Sequence, residues 1–182
     1  GRSVPAAPTG AGSSGPTLVV SASASTVTAG QIDDALAHGW TGVAVGVDPA
    51  ADEAPTHDEI TEALRAGHDV VAYTPRGPDD PAFRGGSSVD PADTGARIGR
   101  IAARAARAGV TRDVVVCGGD TAGYALVEAG VREVRVAAQF VPVGPICRTD
   151  DRSALAGCRL VLKGGQVGPP DIFRRFSLGG SW

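Results

Sequence analysis

Three stretches of the sequence combine glycines, hydroxyl groups or a lysine in patterns that suit phosphate binding. They contain Ser21, Ser23 and Ser25; Gly118, Gly119, Asp120 and Thr121; and Lys163, Gly165 and Gly168. Glycines let backbone N–H groups approach a ligand, hydroxyls donate hydrogen bonds, and a lysine neutralises charge. Each stretch follows an apolar run that is typical of a buried strand. The pattern predicts three loops for an anionic ligand.

The stretch Asp113–Gly130 shows this pattern most clearly. Three consecutive valines predict a buried parallel strand, Gly119 is predicted to make a sharp turn, and Asp120 or Thr121 to cap a helix. Unpaired N–H groups and the positive end of the helix dipole form an anion site at such a helix start. A βα unit needs a tight turn even without a ligand, so both interpretations stay open for this stretch alone.

Composition excludes several classes of function. With 17 basic and 20 acidic residues, a net charge of -3 and 4% aromatics, the chain lacks the features of a nucleic-acid surface. No apolar run reaches the about 18 residues of a membrane span. The N-terminus lacks the order of a signal peptide, which predicts a cytoplasmic protein. Cys117, Cys147 and Cys158 have no metal-site spacing and are predicted to be reduced and buried.

Strand and helix patterns alternate along the chain. Apolar runs predict strands at 18–20, 43–47, 70–73, 114–116, 133–138 and 158–163. Two capping boxes predict helix starts, Thr28 with Gln31 and Thr56 with Glu59. The alternation predicts a three-layer, Rossmann-like α/β fold, with a mostly parallel sheet and helices on both faces. The three candidate loops would then lie at the carboxyl edge of the sheet.

The remaining segments are predicted from composition. Residues 1–17 form a flexible linker or an expression remnant, 18–176 one folded domain that closes with a short helix at Ile172, and 177–182 a tail. Thr74–Asp90 is predicted to be a mobile loop and Phe140–Cys147 a stiff loop, because prolines and glycines interrupt both.

Arginines and histidines are predicted to be surface residues. The helix Pro91–Gly109 carries four arginines at helical spacing, which favours a solvated outer face over a phosphate site. The histidines have no evident catalytic partner; they are His38, His57 and His68. Lys163 could be a solvated cap on its strand, although the glycines after it favour phosphate contact.

Four motifs in order resemble the C-terminal nucleotide-binding domain of the four-carbon acid sugar kinases, bacterial enzymes that phosphorylate tetronate-type acids with ATP. The motifs are LVVSASASTVTAGQ, VVVCGGDTAG, QFVPVGPICR and LVLKGGQVG. The resemblance extends from Leu18 to Phe173, and its specificity comes from the order of the four motifs.

The resemblance implies that ATP and Mg²⁺ bind among the three loops. The matching positions are Ser21, Ser23, Ser25, Gly118, Gly119, Asp120, Thr121, Lys163, Gly165 and Gly168. It implies that Thr121 donates its hydroxyl, that Lys163 neutralises phosphate charge, and that Asp120 holds a magnesium-bound water. Three positions depart from the family pattern and bear on ATP affinity: Ala22 replaces a glycine, Gly144 comes one place late, and Gly164 replaces a serine.

Family enzymes also have an N-terminal substrate-binding domain with an Asp-Asp motif, which residues 1–17 do not contain. We therefore expect the chain to hold the nucleotide, and to receive the sugar acid through a domain missing here or on a partner chain. A homo-oligomer is left open. One alternative is a non-catalytic module for nucleotide sensing or protein association. Another is an α/β enzyme of a different reaction class that uses Cys117 as a nucleophile.

Overall fold

The computed structural model describes residues 15–48, 50–80, 90–140 and 143–179. The strands in these ranges are β1 (Thr17–Ser21), β2 (Thr41–Ala44), β3 (Val70–Tyr73), β4 (Asp113–Cys117), β5 (Val134–Phe140), β6 (Gly144–Thr149) and β7 (Arg159–Lys163). The helices are α1 (Thr26–Ala37), α2 (Ala54–Arg65), α3 (Pro91–Arg107), α4 (Gly119–Glu128) and α5 (Ile172–Ser177). The strands form one sheet in the order β2-β3-β1-β4-β7-β6-β5.

β1 lies inside the sheet and has helices on both of its faces. It pairs in parallel with β3 on one side and with β4 on the other. Leu18 and Val20 belong to the core formed with α2, α3 and α4, whereas Val19 belongs to the core formed with α1 and α5. Alternate side chains of a strand point to opposite faces, so both helix layers are anchored on β1. The predicted three-layer, mostly parallel α/β fold is confirmed.

The sheet ends in an antiparallel part that the sequence analysis missed. Residues 144–149 form β6, whose first four residues belong to the predicted stiff loop, and β6 pairs antiparallel with β5 and β7. Pro145 has no N–H group, but it lies opposite β5 only, because the ladder with β7 consists of Ile146 and Cys147. The prolines and glycines therefore mark the start of this strand. Pro142 lies outside the described residues.

Three predicted helix caps are wrong, because each helix begins before the residue that was predicted to cap it. Ser25 caps α1 by accepting a hydrogen bond from the amide of Val27, so Thr28 and Gln31 lie within the helix. The cap position of α2 is Glu53, which makes no side-chain capping bond, and Thr56 lies inside that helix. In α4 the cap position is Gly118, so neither Asp120 nor Thr121 is the cap.

The arginines of α3 form an interface with α2. Arg100 donates to both oxygens of Glu53, at 3.0 and 2.5 Å, and Arg97 lies 3.4 Å from the same carboxylate. Hydrogen bonding from Arg100 lowers the pKa of Glu53 to about 2. Arg97 is buried and donates to the carbonyl O of Asp48 at 2.6 Å. The predicted solvated face is therefore wrong for Arg97, whereas Arg100 is partly exposed and Arg104 and Arg107 are exposed.

Histidine and cysteine predictions had different outcomes. His38 and His68 are exposed as predicted. The surface prediction is wrong for His57, which is buried at the α2–α3 interface with its Nε2 3.2 Å from Glu53 Oε2. The three cysteines are free and buried, as predicted.

Parts of the predicted flexible segments lie outside the described residues: 1–14 of the linker, 81–89 of the mobile loop and 180–182 of the tail. Residues 74–80 of the predicted mobile loop are described, and Arg76 within them forms an ion pair with Asp33 of α1. None of the described helices has the length and hydropathy needed to cross a membrane.

Candidate functional site

The three predicted loops meet at one edge of the sheet. They follow β1, β4 and β7, which are neighbours in the strand order. The amide of Ala22 donates to the carbonyl O of Cys117 at 2.9 Å, and the amide of Gly118 donates to the carbonyl O of Lys163 at 3.1 Å. Because parallel strands end at the same edge, residues far apart in the sequence line one rim.

The serines after β1 form a ladder of hydrogen bonds. Each hydroxyl oxygen accepts from the backbone N–H group two residues later, at 3.4 Å for Ser21, 3.3 Å for Ser23 and 3.1 Å for Ser25. The short side chains thereby replace backbone partners that the loop lacks. Because each oxygen acts as an acceptor, the hydroxyl protons of Ser23 and Ser25 remain available for an acceptor outside the ladder, whereas Ser21 is fully buried. The ladder therefore holds the loop and can donate to an anion.

Gly118, rather than the predicted Gly119, makes the turn from β4 into α4. Its φ of 134° and ψ of 121° are a conformation that L side chains rarely adopt. Gly119 and Asp120 are exposed in the first turn of α4, and no side chain of the described residues caps this helix. The first amides of α4 have no intrahelical partner and carry the positive end of the dipole. An anion could bind them.

The hydroxyl of Thr121 is buried next to Gly118. Thr121 is 9% exposed, and its Oγ1 has no hydrogen-bond partner among the described residues. A Cβ atom at position 118 would collide with this hydroxyl, which is a second reason for glycine there. A buried polar group without a partner costs about 1–3 kcal/mol. A ligand that supplied an acceptor to Thr121 would recover this cost.

The loop after β7 packs closely against the serine loop. A Cβ atom at position 165 would collide with the hydroxyl of Ser23 and lie 3.3 Å from the Cβ of Ser25. Gly168 has a φ of 96° and is surrounded by Val143, Ile172 and Gln31. Close approach therefore requires glycine at position 165, and backbone conformation favours it at position 168.

Lys163 lies beneath this loop and is 2% exposed. Its Nζ donates to Thr28 Oγ1 at 3.2 Å and to the carbonyl O of Gly164 at 2.9 Å. Burial lowers the pKa of Lys163, because the ammonium has lost water. No carboxylate among the described residues forms an ion pair with it. The solvated strand-end interpretation of Lys163 is thus wrong, and the side chain is a buried cation beside the candidate site.

Cys117 is an unsuitable nucleophile. Burial raises the pKa of its thiol to about 12, although Lys163 opposes this shift. The reactive form of a cysteine is the thiolate, which a buried thiol with such a pKa does not form near neutral pH. The alternative based on Cys117 therefore has no support in the site.

Comparison with known proteins identifies the domain. The sequence profile of the family described as nucleotide-binding C-terminal domain matches residues 18–173, which include all three loops. The chain belongs to this family. The resemblance to the C-terminal domain of the four-carbon acid sugar kinases is confirmed.

Curated relatives of this nucleotide-binding domain are kinases. A 3-oxo-isoapionate kinase from Paraburkholderia graminis is 35% identical over 173 residues, which cover 85% of this chain and 37% of the relative. A 3-oxo-tetronate kinase from Cupriavidus necator is 34% identical, with 87% of this chain and 37% of the relative covered. The chain thus spans little more than a third of the length of these relatives.

Solved structures share the fold of the nucleotide-binding domain. A domain of unknown function from Bordetella bronchiseptica, a domain-swapped dimer with bound citrate, has a TM-score of 0.73 at 23% identity, with 93% of this chain and 41% of that chain covered. A Haemophilus influenzae protein has a TM-score of 0.65 at 19% identity, with 90% and 40% covered. At these identities the comparison establishes the fold only.

Sequence reasoning missed two residues of this nucleotide-binding domain, Thr28 and Gln31. Both are fully buried and donate to backbone carbonyls of the loop after β7. Their spacing was interpreted as a capping box. The signal that could have identified them is polarity: a threonine and a glutamine lie on the face of α1 that also carries buried Ile32 and Ala35.

The fit of Mg²⁺ to the nucleotide-binding domain rests on Asp120. Asp120 is exposed in the first turn of α4, so its carboxylate can reach a water molecule bound to a metal. No cluster of three or more His, Cys, Asp or Glu that could hold a metal occurs within the described residues. A single carboxylate suits Mg²⁺ that is bound mainly by phosphate oxygens.

Proposed function

We propose that this chain is the ATP-binding domain of a kinase that phosphorylates a four-carbon sugar acid of the tetronate or 3-oxo-tetronate type. The observation that carries the proposal is the convergence of the serine ladder, the uncapped start of α4 and the β7 loop on one rim. These features supply hydroxyl donors, free amides and a cation, which are the groups that bind a polyphosphate. The kinase relatives support the same class of reaction.

Each part of the rim has a distinct role in the proposal. The amides at the start of α4 bind phosphate oxygens, because the backbone at Gly119 is exposed and carries no side chain. Ser23 and Ser25 donate their remaining protons to the nucleotide, and the fully buried Ser21 supports the ladder from the end of β1. The buried ammonium of Lys163, beneath the β7 loop, neutralises phosphate charge at the rim. Gly165 lets the β7 loop lie close to the serine loop, and Gly168 provides the positive φ that the loop needs.

Mg²⁺ fits the proposal through one carboxylate. When bound, the ion neutralises charge on the phosphate oxygens and so favours in-line transfer. Asp120 would accept a hydrogen bond from a water molecule of the ion and thereby orient it. Thr121 lies one residue later, with a hydroxyl that has no partner among the described residues and is a further donor for phosphate.

Phosphoryl transfer also needs an acceptor hydroxyl and a base that is positioned beside it. We place the acceptor site and the base in a part of the protein outside this chain, which spans little more than a third of its kinase relatives. On this proposal the chain alone binds nucleotide and does not phosphorylate a sugar acid. Phosphorylation of a tetronate by the isolated chain would contradict it.

A non-catalytic nucleotide sensor is the second candidate function. The observation that favours it is the state of Lys163, whose ammonium is held by Thr28 and Gly164. Ala22, which replaces a glycine of the family pattern, also favours a sensor over a kinase. A sensor would bind nucleotide whether or not the acceptor domain is present, and it would not transfer the phosphoryl group. Assays of ATP hydrolysis and of sugar-acid phosphorylation by the longest available form of the protein therefore distinguish the two functions.

Calorimetric titration with ATP and Mg²⁺ tests the proposal, with Gly119→Leu as the decisive variant. A leucine at position 119 meets no atom within 4 Å of its Cβ, so the fold should be retained, whereas its side chain would block the first amides of α4. Gly123→Leu is the matched control, because Gly123 is exposed in the same helix and has equally open surroundings. We expect weak binding by the wild type and by Gly123→Leu.

Gly119→Leu should bind at least about tenfold more weakly, the equivalent of about 1.4 kcal/mol. Thermal unfolding of the three proteins checks that each is folded at the titration temperature. Absence of ATP binding to the wild type at millimolar concentration, or equal affinity in both variants, would contradict nucleotide binding at this rim.

A further inference from the structure

The first turns of α1 insert two buried polar side chains into the loop after β7. Thr28 Oγ1 donates to the carbonyl O of Gly165 at 2.8 Å. Gln31 Nε2 lies 3.0, 2.9 and 3.2 Å from the carbonyl oxygens of Val167, Gly168 and Pro169. Both side chains are fully buried. Four carbonyl groups of one short loop are therefore held by a neighbouring helix.

The arrangement at Gln31 is specific for an amide group. Its NH₂ group has two hydrogens, which three successive carbonyls share. Loss of the amide would remove the side-chain donor of these part-buried carbonyls and so destabilise this conformation of the loop. A Cβ atom at position 168 would lie 3.4 Å from this nitrogen, so Gly168 packs directly beside the amide.

Thr28 connects the same loop to Lys163. Its oxygen accepts from the Lys163 ammonium at 3.2 Å and donates its proton to Gly165. Gly165 is in turn the residue that packs against Ser23. One threonine hydroxyl thus links Lys163 to the β7 loop, which packs against the serine ladder at Ser23.

We propose that Thr28 and Gln31 are positioning residues for the nucleotide: they hold the β7 loop in its binding conformation from behind and do not contact the ligand. This inference rests on the proposed nucleotide-binding function. A loop that is already ordered loses less conformational freedom when a ligand binds, so preorganisation raises affinity. Without these side chains, binding would have to order the loop.

Gln31→Met tests the inference, because methionine fills a similar volume and cannot donate. We expect its affinity for ATP with Mg²⁺ to fall at least about tenfold. Backbone amides of residues 164–168 should exchange hydrogen faster than in the wild type. Thr28→Val should have the same direction of effect on both measurements.

Thr111→Val is the matched control for general destabilisation. Thr111 is also a buried hydroxyl that donates to a backbone carbonyl, that of Pro16 at 2.7 Å, but it precedes β4, at the opposite edge of the sheet from the loops. The Thr111→Val variant should lower the melting temperature as Thr28→Val does, but its ATP affinity should stay within about twofold of the wild type. A merely structural role for Gln31 would make Gln31→Met behave like this control.

The outcomes separate this inference from the proposed function. If the wild type binds ATP and folded Gln31→Met binds it equally well, the inference is overturned and the function stands. If the wild type does not bind ATP, both are overturned.

If Gln31→Met does not fold, Gln31→Glu replaces it, because a protonated carboxyl donates one hydrogen bond and a carboxylate none. Its ATP affinity relative to the wild type should then improve as pH falls. A ratio that is independent of pH would overturn the inference.

Discussion

Two glycine-containing turns lie side by side at the ends of β4 and β7, yet their glycines have different physical roles. The β4 turn depends on backbone conformation at Gly118, and the helix start after it is exposed and has no side-chain cap. The β7 loop depends on close packing at Gly165 and is held by buried side chains of α1. The turn after β4 thus exposes backbone amides, whereas the loop after β7 is held in place by side chains of α1.

This difference shows that a glycine-rich sequence does not by itself indicate open backbone for a phosphate. A glycine can permit a left-handed conformation, or it can leave space for another loop. Only the surroundings of each glycine, such as the hydroxyl of Ser23 beside Gly165, distinguish these roles. The predictions below test the distinction at each turn.

The largest effect should come from Gly118→Ala. Alanine at a φ of 134° is strained, and its Cβ would collide with the hydroxyl of Thr121. Together these should lower the free energy of unfolding by about 3 kcal/mol. Urea denaturation measures the change.

Gly123→Ala is the control for Gly118→Ala, because Gly123 lies within the same helix and has open surroundings. It should leave stability unchanged or raise it by up to about 1 kcal/mol, since alanine favours helix. Equal losses in the two variants would show that the conformation at Gly118 is not the cause.

A smaller effect is expected from Gly165→Ala, whose Cβ would collide with the Ser23 hydroxyl. A hydroxyl can rotate away, so we expect a loss of about 1 kcal/mol. Ser23→Ala removes the obstructing atom, and the double variant should be more stable than the sum of the single changes predicts. Additive losses in this double-mutant cycle would mean that the two loops do not depend on each other.

Much of the fold could be predicted from the sequence because its signals are local. The valines of β4 and the apolar stripes of the helices indicate buried elements whatever their neighbours. β6 was missed because Pro145 interrupts the local pattern, and only its position beside β5 explains why it is tolerated. The orientation of the β5–β6–β7 part likewise depends on partners that are distant in the sequence.

The candidate site could be located from sequence but not resolved in detail. Parallel topology brings the three loops together, which follows from alternating strands and helices. The partners of Lys163 and Gln31 do not follow from it, since Thr28 and Lys163 meet across the sheet edge only in the folded chain. Residues that satisfy a capping pattern were therefore assigned locally, although they form long-range hydrogen bonds.

The smallest expected effect is the pH dependence of the stability difference between the wild type and Lys163→Met. It tests most directly whether the β7 loop keeps Lys163 buried. Burial lowers the pKa of Lys163 below 10.5 in the folded protein. Between this lowered pKa and pH 10.5 the unfolded chain binds more protons than the folded one, so the wild type gains stability as pH rises through that window. Methionine does not titrate, so the stability of the wild type relative to Lys163→Met should increase with pH.

Urea denaturation of both proteins at several pH values measures this difference. Cys117, whose pKa is raised from 9.0 to about 12, lowers stability above pH 9.0 in both proteins, and its contribution largely cancels in the comparison. A difference that does not vary with pH would mean that the ammonium is solvated in solution. Lys163 would then be as open as the start of α4, and the contrast between the two turns would not hold.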